Sequence, residues 1–275
     1  NNNKLNVFNL NTLDSVKKEK KGNIWENDMF DVINHIDKSY PRYPLKNKIN
    51  YIDKILWINL DSSTDRFKIM TNILSTIDIP SVRISAVNGK QLDKYSYSIN
   101  MQNNNKMDSG EIGCTLSHIK AILSLTNTEG SYFLICEDDI ILDNVYMFNH
   151  DLKHIINNCP PFDILMLYKT YIDKLLIKTY TKWNDLGEKP GGTLAYVISR
   201  QGIKNFSKYN KMENSVIYAT LPFSVADDYI YKNLNTYVYK YNFITTDPMN
   251  NSTLHDHTRI HSLVCRTNIL DMQYK

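Results

Sequence analysis

The residues with the clearest chemical potential in this chain are three consecutive acids, Glu137, Asp138 and Asp139, directly after the apolar run Tyr132–Cys136. Carboxylates at the end of a buried strand are costly unless something neutralises them. In an extended chain residues i and i+2 point the same way, so Glu137 and Asp139 are expected to converge on one spot while Asp138 faces elsewhere. Two converging carboxylates suit a hard divalent cation with oxygen ligands, Mg²⁺ or Mn²⁺. Such a cation would hold the phosphates of a bound nucleotide. A solvated loop of acids is the plain alternative for so short a motif. A second acidic pair, Asp227-Asp228, opens a predicted helix, a place where Asp also serves as an N-cap. Ala226 before the pair and Tyr229 after it lean apolar, so a carboxylate there is expected to be partly desolvated and its pKa raised. Near the end of the sequence, Leu254-His255-Asp256-His257 offers two imidazoles at i, i+2 spacing, of which one can face inward.

These groups need elements to hold them. Lys54–Leu60 is a short apolar run that reads as a buried strand. Thr64 to Ile77 then carries Phe67, Met70, Ile73 and Leu74 on one helical face. Val82–Val87 is a second strand, closed by the turn pair Asn88-Gly89, and the polar residues 90–107 read as a loop. Asp108 with Glu111 three residues on is a capping-box start for the next helix. Tyr132–Cys136 is the strongest buried strand, followed by a helix over Val145 to Ile156 and a strand at Asp163–Leu167. Gly191 and Gly192 precede a strand at Thr193–Ser199, and a helix over Arg200 to Tyr209 follows. A short helix from Asp227 to Leu234 and a strand at Thr236–Tyr239 close the pattern. Strands alternating with helices predict an α/β fold with a mostly parallel or mixed sheet covered on both faces. Ligands in such folds bind at the carboxyl ends of the strands.

Composition narrows the function classes. With 275 residues, 42% apolar and 22% charged, the chain can bury a substantial core, which excludes disordered, collagenous and disulfide-scaffold classes. A net charge of +3 is too small to point to nucleic acid. No apolar run approaches the roughly 20 residues of a transmembrane helix. Cys114, Cys136, Cys159 and Cys265 contain no CxxC pair, so a zinc ribbon or redox motif is not expected. Cys114 and Cys136 read as buried small hydrophobes, which leans toward a reduced compartment such as the cytoplasm. Asn1 in place of an initial Met reads as a processed or trimmed chain. Residues 1–50 differ from the rest, with a basic run at Lys17 to Lys21 and a short amphipathic helix near Trp25 to Ile36. They read as an N-terminal extension or linker. Glycine is scarce, at 9 residues where about 7% of the chain would give roughly 19, so each has an elevated chance of holding a special position. Asparagine fills about one position in eight and is matched by abundant Lys, Ile and Tyr, all with AT-rich codons.

The order of segments resembles glycosyltransferase family 25, the lipooligosaccharide and collagen β-galactosyltransferases. Asn59-Leu60-Asp61 with Thr64-Asp65-Arg66 looks like that family's opening segment. Ser85-Ala86-Val87-Asn88-Gly89 looks like its "AxDG" turn with Asn in place of Asp. Gly110-Glu111-Ile112-Gly113-Cys114-Thr115-Leu116-Ser117-His118 is similar to its most distinctive block, "GEIGCxLSH". Glu137-Asp138-Asp139 matches its acidic motif, and Gly192 to Ser199 resembles its "GxxAYxIS" strand. Val225-Ala226-Asp227-Asp228 resembles its late acidic segment. The match runs over about residues 52–255 and leaves 1–50 uncovered.

The resemblance implies a GT-A type fold over 51–275, a Rossmann-like mixed sheet flanked by helices. It also implies an inverting transfer of a hexose, galactose or glucose, from a UDP-sugar to a hydroxyl. The acceptor class is a glycan or a collagen-like protein; self-association as a homodimer stays open. Donor contacts are carried over to Asn59, Leu60, Arg66, Val87, Asn88, Gly89, Ser117, His118, Glu137 and Gly192. Asp139 is expected to bind Mn²⁺ or Mg²⁺ directly, with Glu137 as its partner or as a ribose contact. A third ligand from the chain's end is expected, His255 ahead of His257. The catalytic base is expected from Asp228 ahead of Asp227. Without the resemblance, His118 reads as a satisfied core histidine, Arg66 as a surface residue, and Gly191-Gly192 as a plain turn. Two other classes compete: an inactive relative serving as an interaction scaffold, and a metal-dependent nucleotidyltransferase or hydrolase of nucleotide-sugars. The latter would lack the phosphate loop GxxxxGK[ST].

Overall fold

The computed structural model describes residues 45–101, 106–142, 145–146, 148–170 and 178–246. The expectations for Lys17 to Lys21, Trp25 to Ile36, His255 and His257 lie outside the described residues.

Strand β1 (Lys54–Asn59) leads into helix α2 (Thr64–Ser75), which the short helix α1 (Leu45–Lys48) precedes in the chain. Strand β2 (Ser81–Ser85) follows, then β3 (Tyr97–Asn100), helix α3 (Ser109–Ser124), β4 (Tyr132–Glu137) and the two-residue β5 (Ile140–Ile141). Helix α4 (Leu152–Asn158), β6 (Ile164–Met166), β7 (Tyr180–Lys182) and β8 (Ala195–Ser199) come next. The chain continues through α5 (Arg200–Phe206), β9 (Asn210–Glu213), β10 (Val216–Pro222), α6 (Ala226–Tyr231), β11 (Thr236–Tyr239) and β12 (Thr245–Thr246).

Seven strands form one mixed sheet in the order β2-β1-β4-β8-β6-β11-β7. β1 runs parallel to both β2 and β4, whereas β8 is antiparallel to β4 and to β6. This is the Rossmann-like mixed sheet the alternating pattern predicts. Strand periodicity assigns the two cores. Leu56, Ile58, Phe133 and Ile135 face one side, where they pack with Leu116, Ile119 and Ile122 of α3. Ile55, Trp57, Leu134 and Cys136 face the other, with Met70 and Leu74 of α2 and Ile155 of α4. The near-continuous apolar runs of β1 and β4 follow from this two-sided burial.

Several elements differ from the sequence expectation. The predicted loop at 90–107 contains 3₁₀ turns within Gly89–Lys94, broken by a kink at Gln91, and strand β3, which pairs parallel with β10. The Tyr-Ser-Ile-Asn sequence of β3 carries too few apolar residues to announce itself, because this three-stranded sheet is only partly buried. The hairpin β9–β10 turns on Asn214 and Ser215 at φ 48° and 66°, a two-residue turn without the usual glycine. The helix expected from Val145 starts only at Leu152, where the Asp151 side chain accepts the His154 backbone N–H at 2.8 Å.

Helix α3 is the element that brings sequence signals to the site. Its capping box is complete: Asp108 accepts the Glu111 N–H at 2.8 Å, and Glu111 accepts the Asp108 N–H at 2.9 Å. One turn in, Gly113 lies against the loop after β2. A Cβ there would stand 2.6 Å from the Val87 carbonyl oxygen and 2.8 Å from the Gly89 nitrogen. Ser117 closes the same contact, accepting the Val87 N–H at 2.8 Å. Alanine would favour the helix by about 1 kcal/mol, but backbone atoms cannot yield to a Cβ at those distances. Gly113→Ala should therefore destabilise the fold by about 1–3 kcal/mol in urea denaturation. Gly187→Ala, with open space around it, should stay within about 0.5 kcal/mol of wild type.

Candidate functional site

The carboxyl ends of β1, β2 and β4 open with the start of α3 onto a cleft of about 420 Å³, within the range of small-molecule sites. Its lining brings together Leu60, Arg66, Val87, Asn88, Gly89, Ser117, His118, Glu137, Asp138 and Asp139. Separate segments of the sequence thus converge where open α/β sheets bind ligands.

The three acids at the end of β4 are compensated from three directions. Glu137 continues the face of Phe133 and Ile135 and so meets α3. Its Oε1 accepts the Thr193 hydroxyl at 2.8 Å and lies 3.6 Å from His118 Nε2. Asp138 falls on the α2 side. It accepts Asn59 Nδ2 at 2.6 Å through one oxygen and the Arg66 guanidinium at 2.8 Å through the other. Asp139 departs from the expected convergence with Glu137: its Oδ2 lies 3.3 Å from the same guanidinium. The reason is local, since β4 ends at Glu137 and the next two residues form a turn in which the two-residue alternation no longer holds.

Their protonation follows from these neighbours. Burial works to raise the Glu137 pKa, but hydrogen bonding and charge attraction from His118, with Thr193 and Arg66, outweigh it and hold the carboxyl below its ordinary value. Asp139 is pushed up to about 7, by burial first and then by the charges of Glu137 and Asp138, against the attraction of Arg66. Its Oδ1 is buried with no hydrogen-bond partner among the described residues. For Arg66, burial opposes the charge, yet Asp139, Asp138 and Glu137 together keep its pKa above the ordinary value.

Some expected contacts take other forms. Asn59 is 1% exposed and acts as a clamp below the cleft; besides Asp138 it binds the Ser63 carbonyl and accepts Arg83 Nε at 2.8 Å. The Asn88 side chain accepts the Lys90 N–H at 2.9 Å, so at this position it caps the 3₁₀ helix while lining the cleft. Gly192, at φ +112°, is not among the lining residues; its carbonyl accepts the Tyr231 hydroxyl at 3.1 Å.

The pair Asp227-Asp228 is divided by helix geometry. Val225, not either acid, is the N-cap of α6, so both acids occupy the first turn. Asp228 is exposed, whereas Asp227 turns inward. Burial pushes the Asp227 pKa up to about 6, reduced by a hydrogen bond from the Gly192 backbone; the charges of Glu137 and His118 also act on it. Its Oδ2 would stand 2.7 Å from a Cβ at Gly191, which accounts for that glycine. The structure turns Asp227 inward and leaves Asp228, the residue preferred from the sequence, outside, because one step along a helix rotates a side chain by about 100°. His255 lies outside the described residues. Thr246, the last of them, pairs with Ile140.

Cys114, Thr193 and Tyr196 were not anticipated here. Cys114, expected as a buried hydrophobe, is only partly buried and lines the cleft. Its four-residue spacing from His118 on a predicted helix was the available signal.

The acids supply oxygen donors of the kind a hard cation takes, although Glu137 and Asp139 do not converge. Asp139 Oδ1 has no partner among the described residues, Glu137 stands on the same cleft, and both are oxygen donors suited to Mn²⁺ or Mg²⁺.

The family profile described as "Glycosyltransferase family 25 (LPS biosynthesis protein)" matches residues 52–230. Two curated proteins named "Glycosyltransferase 25 family member" are similar. One, from Drosophila melanogaster, is 27% identical over 205 residues, covering 63% of this chain and 30% of its own length. The other, from Drosophila pseudoobscura pseudoobscura, is 27% identical over 183 residues, covering 58% of this chain and 27% of its own. The chain therefore spans less than a third of either relative.

The raised Asp139 pKa has a testable consequence. The folded state bears the cost of an ionised Asp139 above pH 7, and that cost fades as pH falls from about 7 toward the unfolded value of 3.8. Without added divalent cation, Asp139→Asn should raise Tm at pH 8 by at least about 2–4 °C. The gain should vanish near pH 4 in a pH series of thermal melts.

Proposed function

The chain belongs to glycosyltransferase family 25, and from that premise we propose that it transfers a hexose, galactose or glucose, from a UDP-sugar to a hydroxyl with inversion. The acceptor is a collagen-like hydroxylysine or a glycan. The observation that carries this reading is the meeting of Glu137, Asp138 and Asp139 with Arg66 in one ligand-sized cleft at the strand ends. That arrangement suits a diphosphate more than a neutral metabolite, since it offers both a guanidinium and carboxylates able to hold a counter-cation.

The donor diphosphate lies in the cleft, where Arg66 and Lys90 offset its charge. The start of α3 adds positive potential from its backbone dipoles. Asp139, through the unpartnered Oδ1, and Glu137 would hold Mn²⁺ or Mg²⁺, with His255 proposed as the third protein ligand. When bound, the cation acts as a Lewis acid that stabilises the leaving UDP. Asp227 takes the proton from the acceptor hydroxyl as its oxygen bonds to the anomeric carbon and the bond to UDP breaks. A base with a pKa near 6 is ionised at neutral pH yet remains basic enough to accept the proton.

The test is UDP release from UDP-galactose and UDP-glucose with Mn²⁺, with and without a hydroxylysine-containing collagen-like peptide or a glycan acceptor. Acceptor-dependent release is expected. Release that ignores the acceptor would assign a hydrolase, and none with either donor would assign an inactive scaffold. Asp227→Asn should lower kcat by about 10²–10⁴ while donor binding persists, and Asp228→Asn should change it only a few-fold. In wild type kcat/KM should fall as pH drops through about 6, because the base is then protonated.

A further inference from the structure

Helix α3 carries a second set of donor atoms on the face turned to Glu137. Cys114 and His118 are four residues apart and share one side of the helix. Sulfur, imidazole nitrogen and carboxylate oxygen of Cys114, His118 and Glu137 all lie within 4.8 Å of one another. His118 is 1% exposed, and the Tyr196 hydroxyl engages its Nδ1 at 3.1 Å. The other ring nitrogen, Nε2, is buried with no hydrogen-bond partner among the described residues. It stands 3.6 Å from Glu137 Oε1, longer than a hydrogen bond. With Nδ1 engaged by the tyrosine hydroxyl, Nε2 is the ring nitrogen left facing the carboxylate, and a cation between them would satisfy both.

We propose that Cys114, His118 and Glu137 bind a borderline divalent cation of the Zn²⁺ class, leaving its fourth position open to the cleft. Two ligands on a tetrahedral zinc, bound at about 2.0–2.3 Å, stand about 3.3–3.6 Å from each other, the nitrogen–oxygen pair at the short end. The His118–Glu137 separation of 3.6 Å lies within about 0.3 Å of the nitrogen–oxygen value, and the 4.8 Å limit on the set leaves Cys114 to close by about 1 Å at most. A thiolate and an imidazole beside one carboxylate select zinc over magnesium, which prefers oxygen throughout. Outer partners are in place as well. Tyr196 fixes the imidazole, and the Thr193 hydroxyl donates to Glu137 at 2.8 Å. An ion pair between His118 and Glu137 alone gives no role to the thiol at the same point. On binding, the Cys114 S–H proton passes to solvent as the sulfur–metal bond forms. The ion shares Glu137 with the cation of the proposed reaction, taking the Oε1 that faces His118, and its detection does not depend on the transfer reaction.

Cobalt(II) titration of the full chain reads the site directly. The expected result is an intense thiolate-to-cobalt band in the near ultraviolet with strong tetrahedral bands in the visible. Cys114→Ser should abolish the near-ultraviolet band, and His118→Gln and Tyr196→Phe should each weaken binding by at least about 10-fold. Wild-type protein supplies a check that needs no folded variant. Zn²⁺, and not Mg²⁺, should protect Cys114 from iodoacetamide, followed residue by residue in a mass spectrometer. Absence of the thiolate band at saturating cobalt, its persistence in Cys114→Ser, or unprotected Cys114 in the presence of Zn²⁺ would each overturn the assignment.

Discussion

Three carboxylates leave the buried strand β4 at consecutive positions, and each must find compensation from a different element. Strand alternation sends Glu137 toward α3 and Asp138 toward α2, so the first meets His118 and Thr193 and the second meets Asn59 and Arg66. Asp139, past the end of the strand, shares the guanidinium and retains one unpartnered oxygen. A single arginine cannot neutralise three acids, and the remainder is the physical basis of the site. It keeps one carboxyl proton-hungry.

The cleft exists because α3 packs unusually close to the loop after β2. Gly113 removes the side chain that would keep Val87 and Gly89 away, Ser117 bonds the loop, and the capping box fixes where the helix begins. From that fixed start, helical spacing places Cys114 and His118 over Glu137. Packing and chemistry here share residues: Ser117 is structural by its hydrogen bonds and still part of the cleft wall.

On the opposite flank, the strained approach to β8 sets the other proton-active group. Gly191 and Gly192 let the chain pass against Asp227 and Tyr168 where any side chain would collide. Burial there raises one acid of a neighbouring pair while its sequence neighbour stays exposed. Two carboxyls, Asp139 and Asp227, are thus tuned upward by the same cause, loss of water. Glu137 between them is tuned downward by its partners.

Much of this was legible in the residues. The apolar runs of β1 and β4, the Asp108–Glu111 box and the acids after Cys136 each carry a local physical cause, so the alternating fold and the sheet end bearing the chemistry could be read directly. The weakly apolar β3 and the β9–β10 hairpin could not, because a partly exposed small sheet leaves little periodicity. Which acid of Asp227-Asp228 turns inward, and that Asp139 turns to Arg66 instead of joining Glu137, depend on where a helix begins and a strand stops. Cys114 and His118 were separately visible as residue types; that they stand over Glu137 was decided only by packing of α3 on the sheet. Sequence alone determined the kinds of groups and the strand that delivers them. Tertiary structure decided which of them meet, since orientation and desolvation come from neighbours far apart along the chain.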